Sequence, residues 1–129
     1  MQDGLQTKLD NDFYVGNLAT DLVDYTLKIC NKPPDKPPRF PKIMYESYVT
    51  QIVNLTLRIH QNICEANALR AKEYKRSEFQ YLSLGECVSL EKLIHIALKR
   101  GWISEKQYIN WQRKICDLHF KILKWIGRM

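Results

Sequence analysis

ISEKQYINWQRKICDLHFKILKWI, residues 103–126, reads as one complete amphipathic helix with its own start signal. Tyr108, Trp111, Ile115, Leu118, Ile122 and Trp125 step by 3, 4, 3, 4 and 3 residues, which stacks them along one face of a helix. Ser104 and Gln107 hold the two positions of a capping box, where each side chain covers a backbone amide left unpaired in the first turn. Ile103 and Tyr108 occupy the hydrophobic-staple positions around them. A seam with this rhythm packs at the shallow crossing angle of helical bundles, so the helix calls for companions.

The companions precede it. Gly101 behind Lys99 and Arg100 is a natural C′ residue for a third helix, with cations at its negative end. That helix is expected to open at Ser77, with Gln80 completing a second capping box, and to bury Phe79, Leu82, Leu90, Leu93 and Ile96. Gly85 inside it costs about 1 kcal/mol against alanine, and with Ser89 one turn on it reads as a point of close helix approach. A second helix carries Tyr45, Tyr48, Ile52, Leu55, Ile59 and Ile63 in the same rhythm, and a first carries Phe13, Leu18, Leu22, Tyr25 and Ile29. All five prolines lie between Pro33 and Pro41, so residues 31–41 form a stiff, extended connector that no helix crosses. A polyproline ligand is the other use of such a run.

Four helices of about 20–24 residues would each span about 30–36 Å. Matched lengths favour an all-α, antiparallel up-and-down four-helix bundle, one domain over residues 1–129. More apolar surface is present than such a bundle needs. Ile43, Met44, Val49, Val53, Leu57 and Cys64 on the second helix, and Ile109, Leu123 and Ile126 on the fourth, lie off the main seams. A helix apolar on two sides is buried on two sides, so self-association is expected.

Composition narrows the function. No apolar run approaches the ~18 residues of a membrane span, and the polar, acidic N-terminus does not read as a secretory signal. A cytoplasmic protein without a membrane is the expectation. Cys30, Cys64, Cys87 and Cys116 are widely spaced, with no C-x-x-C and no nearby histidine pair, and read as reduced, small hydrophobes. No cofactor or metal site is suggested.

The net charge of +6 is uneven. Residues 1–30 set Lys8 and Lys28 against five aspartates, whereas residues 101–129 set six cations against Glu105 and Asp117. Arg113, Lys114, Lys121 and Lys124 form a broad cationic flank off the Tyr108–Trp125 seam, and Arg70, Lys72, Lys75 and Arg76 crowd the approach to the third helix. These eight are the candidate nucleic-acid contacts, since lysine and arginine neutralise phosphates without reading sequence. A solvated face that only confers solubility would use the same residues. Tyr74, Tyr81 and Trp102 are candidates for stacking on unpaired bases, though such side chains more often serve core or interface.

Catalytic patterns are sparse. Arg113 and His119 fit the short R-x4–6-H pattern of helical-bundle ribonucleases, but six residues turn a regular helix by about 240°, so the side chains diverge. His60 and Cys64 are one turn apart, and two ligands do not make a metal site. The chain reads as a non-enzyme.

From Phe40-Pro41 onwards the sequence resembles the four-helix-bundle family that contains the accessory variability determinant (Avd) of diversity-generating retroelements and the rRNA intervening-sequence proteins. The resemblance rests on Ile63-Cys-Glu65-Ala66-Asn67, Ser89-Leu-Glu91-Lys-Leu93, the junction Gly101-Trp-Ile103-Ser104-Glu-Lys-Gln107-Tyr108 and the ending Trp125-Ile-Gly127-Arg128. It implies a homopentamer with a basic surface. For the accessory-determinant branch it also implies association with a reverse transcriptase and binding of template RNA or cDNA, the polymerase chemistry residing in the partner. The proline-rich connector departs from the family pattern. A helical-bundle ribonuclease using Arg113 and His119, and a purely protein-binding scaffold, are the alternatives.

Overall fold

A computed structural model describes the backbone of residues 2–31, 35–69 and 73–127, and the side chains of those residues from Tyr14 onwards. Four helices follow in order: α1 (Gln2–Cys30), α2 (Thr50–Ala68), α3 (Tyr74–Lys99) and α4 (Glu105–Ile126). Each packs on its neighbour in sequence, and α4 returns to pack on α1. Side-chain pairs fix the directions. Tyr14 lies beside Lys121 while Tyr25 reaches Gln107, and Asn62 meets Glu86 while Tyr48 reaches Leu93. Arg76 lies over Trp125 while Glu91 takes the Tyr108 hydroxyl. Adjacent helices therefore run antiparallel, and the architecture is the all-α, up-and-down four-helix bundle that the matched seams require.

The α4 reading holds in detail. Trp111, Ile115, Leu118 and Ile122 are buried, with Tyr108 and Trp125 half-buried at the ends of the stripe. Both arms of the capping box form: Gln107 N–H donates to Ser104 Oγ at 3.1 Å and Ser104 N–H to Gln107 Oε1 at 2.8 Å. Such a cap is worth about 1 kcal/mol. At the preceding junction Gly101, at φ +75°, sits at C′ of α3. The Trp102 and Gly101 amides donate to the carbonyls of Ala97 and Leu98, a Schellman pair that only a left-handed residue permits.

The connector is pinned rather than loose where it is described. Arg39 donates to the Ile29 carbonyl at 2.7 Å, placing a cation on the negative end of α1. Phe40 is fully buried, packed edge-on against Tyr45 and Trp102 and tilted against Tyr48. The next turn, Tyr45–Val49, is π-helical: the Thr50 amide and hydroxyl both donate to the Tyr45 carbonyl, five residues back. Regular α2 begins only after it. Ile43, read above as part of the second helix, lies before this turn and is exposed.

Two stripes differ from the sequence reading. On α1 the buried positions are Val15, Ala19, Leu22, Thr26, Ile29 and Cys30, with Leu18 and Tyr25 half-buried and the Phe13 side chain outside the described residues. Thr26 is inside because its hydroxyl accepts the Trp111 indole N–H at 3.0 Å. On α3 the start at Ser77 is a miss: the helix opens at Tyr74, and Ser77 and Gln80 lie within it. Its buried stripe is Arg76, Gln80, Ser83, Cys87, Leu90, Ile94 and Ala97, which turns Leu82 (53% exposed) and Ile96 (44%) outward. The cause is Arg76, whose guanidinium enters the bundle to satisfy carbonyls at the end of α2. Gly85 does not mark a close approach within the chain, since a Cβ built there meets nothing within 4 Å.

Candidate nucleic-acid interface

The antiparallel order brings Lys75 and Lys124, 49 residues apart in sequence, to one end of the bundle. Arg76 of the α3 opening lies 5.0 Å over the Trp125 ring near the end of α4, so Lys75 and Lys124 share that end. Lys75, Arg113 and Lys124 are exposed, and Lys114 and Lys121 half-buried. The half-burial has a cause. Lys114 lies 5.6 Å over the Tyr25 ring and Lys121 4.8 Å over that of Tyr14, so both stems lie along the α1–α4 seam with their ammonium groups on ring faces.

Among the described residues the one ion pair is Arg58 with Glu86, at 3.6 Å, between α2 and α3. Lys75, Arg113, Lys114, Lys121 and Lys124 thus have no carboxylate of the described residues within pairing distance, although Asp117 stands one turn from Arg113, Lys114 and Lys121. Their charge faces solvent, where it acts on mobile anions. Arg76 departs from the set. It is 5% exposed, donates to the Ala66 carbonyl at 2.8 Å and the Leu69 carbonyl at 3.3 Å, and stacks on Trp125, so it closes the α2–α3 turn instead of facing phosphate. Arg70 and Lys72 lie outside the described residues.

No model of a known protein family matches the chain, and no curated protein matches it.

A second surface lies on the other side of α4. Seven of the ten large apolar side chains left exposed stand on α3 and α4: Tyr74, Tyr81, Leu82, Val88 and Ile96, with Ile109 and Phe120. Around Gly85 a groove of about 690 Å³ opens between Ser77, Glu78, Tyr81, Leu82 and Glu86. On α4, Ile109, Cys116 and Phe120 form an outward stripe, whereas Lys114 and Lys121 turn toward α1. Arg113 stands within this stripe, between Ile109 and Cys116, so Lys114 and Lys121 are the cations of α4 that the α1 rings hold away from it.

The ribonuclease pattern does not assemble. His119 lines the α3–α4 groove with Cys87, Val88, Glu91 and Cys116, while Arg113 is exposed and absent from that lining. Among the described residues no three His, Cys, Asp or Glu side chains gather as a metal site. His60 is held within 3.3 Å of the Thr20 hydroxyl and 3.8 Å of Cys64 Sγ, and His95 tilts over Tyr108. Cys30 and Cys87 are buried and Cys64 and Cys116 exposed, all four unpaired. Of the stacking candidates, Trp102 belongs to the aromatic cluster around Phe40, at the end opposite Lys75 and Lys124 and with Arg100 5.9 Å over its ring, whereas Tyr74 and Tyr81 stand exposed on α3. Tyr14 and Tyr25, which the sequence reading placed in no site, are the tyrosines that touch the cations. Only the α1–α4 register reveals them, and no local signal in the sequence carries it. No helix among the described residues is long and apolar enough to cross a membrane.

Proposed function

We propose that this chain is a non-enzymatic accessory protein, a basic helical oligomer that holds RNA or DNA on its cationic side and associates with a reverse transcriptase through its apolar α3–α4 side. One observation carries the nucleic-acid part: among the described residues, five lysine and arginine side chains on α3 and α4 form no ion pair with a carboxylate. A cation already paired gives up that partner to take a phosphate; these five displace only counterions, which is the source of salt-dependent affinity. The exposed apolar residues of α3 and α4 support the protein-binding part, because side chains such as Leu82 and Phe120 gain by leaving water. The resemblance to the accessory determinants of diversity-generating retroelements supplies the partner, the template RNA or cDNA as ligand, and assembly as a homopentamer.

Charge reversal at Lys75, Lys114 and Lys121, together with Lys72, tests the placement. RNA retention at moderate salt is expected to vanish with the fold intact by circular dichroism; retention equal to that of the wild type sinks it. The exposed apolar face would equally suit a purely protein-binding scaffold. That reading requires that the wild type bind no nucleic acid in a salt-dependent way, which the same titration decides.

A further inference from the structure

We infer that the basic side of this protein selects single-stranded over double-stranded nucleic acid, with Tyr14 as the platform on which an unpaired base stacks. The inference rests on the nucleic-acid reading above and deepens it.

Two lysine–tyrosine rungs stand along the α1–α4 seam. Lys121 caps one face of Tyr14 at 4.8 Å, and one heptad earlier on α4 Lys114 caps Tyr25 at 5.6 Å. Seven helical residues rise about 10.5 Å, so the cations are a short, fixed step apart on the same flank. The rungs differ in what they can still do. Tyr25 is committed to the fold: its hydroxyl donates to the Gln107 carbonyl at 3.2 Å and its ring meets Trp111 edge-on. Tyr14 is 51% exposed with no hydrogen bond of its own among the described residues, at the end that also carries Lys124 and Lys75.

A duplex presents phosphates and hides its base faces, so a basic protein that binds duplex needs cations only. A half-exposed ring beside an unpaired ammonium offers more. The ring takes the face of an unpaired base while the ammonium takes an adjoining phosphate, the pairing by which single strands are held without regard to sequence. The lysines lie on rings although Asp117 is within one turn of both on α4, so the aromatic partner fixes where the charge is displayed.

The test is fluorescence anisotropy of the full chain with labelled oligothymidylate, labelled oligouridylate and a mixed-sequence duplex of equal length. Wild type is expected to prefer both single strands. Tyr14→Leu, which keeps charge and apolar bulk, should weaken single-strand binding roughly tenfold and leave duplex binding unchanged, and Tyr14→Phe should behave as wild type. Equal affinity of wild type for single strand and duplex, or a Tyr14→Leu loss that is absent or equal for both, overturns the inference and leaves the nucleic-acid reading standing. Absence of all binding by the wild type overturns both. A thermal melt of each variant separates loss of the ring from loss of the fold.

Discussion

Lys75 and Arg76 are neighbours with similar charge and opposite duties. Lys75 is exposed and forms no ion pair among the described residues, whereas Arg76 is buried against two carbonyls and an indole ring. Only a fixed, planar set of five donors can serve Ala66 and Leu69 together while stacking on Trp125, which is why arginine and not lysine stands there. Removing the guanidinium would take the side-chain donor from the Leu69 carbonyl and leave the Ala66 carbonyl with the Leu69 amide alone, and hydrogen bonds to a charged group contribute more than neutral ones. Arg76→Met should therefore lower unfolding free energy in urea by about 2–4 kcal/mol while the folded fraction keeps its RNA affinity. Lys75→Met should lower affinity and leave stability unchanged. The opposite pattern would return Arg76 to the phosphate-binding set and remove it from the fold.

At the scale of elements, legibility in the sequence follows how apolar the buried stripe is. The α4 seam is large and hydrophobic throughout, and its caps carry a local signature, so its face, start and stop could be read directly. The α3 seam keeps an equally regular spacing but opens with Arg76, Gln80 and Ser83, and hydrophobic periodicity selected Leu82 and Ile96, which the fold turns to solvent. Small or polar members such as Ala19 and Thr26 hid the α1 seam in the same way; Thr26 is inside for the sake of one indole hydrogen bond that no local pattern announces. The cations of the candidate interface were visible as residue types. Their partners were not, because Tyr14 and Lys121 meet only through a register set by the whole bundle. Gly85 shows what such misplaced apolar residues imply for α3. With open space beyond it, Gly85→Ala should stabilise the protomer by about 1 kcal/mol, read as a raised urea midpoint. If copies of the chain or the polymerase pack into the groove at this face, the added methyl should also weaken that association in sedimentation. A more stable protein with undiminished association would place the contact elsewhere.

Apart from Arg76, the buried ionisable groups of the molecule are weak acids held neutral. Burial pushes the thiols of Cys30 and Cys87 up from 9.0 to about 12, and the phenol of Tyr48, which donates to the Leu93 carbonyl, up from 10.0 to about 12. Each is a neutral acid whose folded pKa is raised, so its contribution to stability is complete below the unfolded value. Above about pH 9 the unfolded chain releases thiol protons that the folded chain retains, and stability falls as pH climbs toward 12. The unfolding free energy should thus be level from about pH 7 to about pH 9 and decline beyond it. Cys87→Ala should be less stable than wild type at neutral pH, from lost packing at a fully buried position, yet decline less steeply above pH 9. Parallel curves for the two proteins would show that Cys87 ionises as readily inside the bundle as outside it, and would place the alkaline limit in the surface charges.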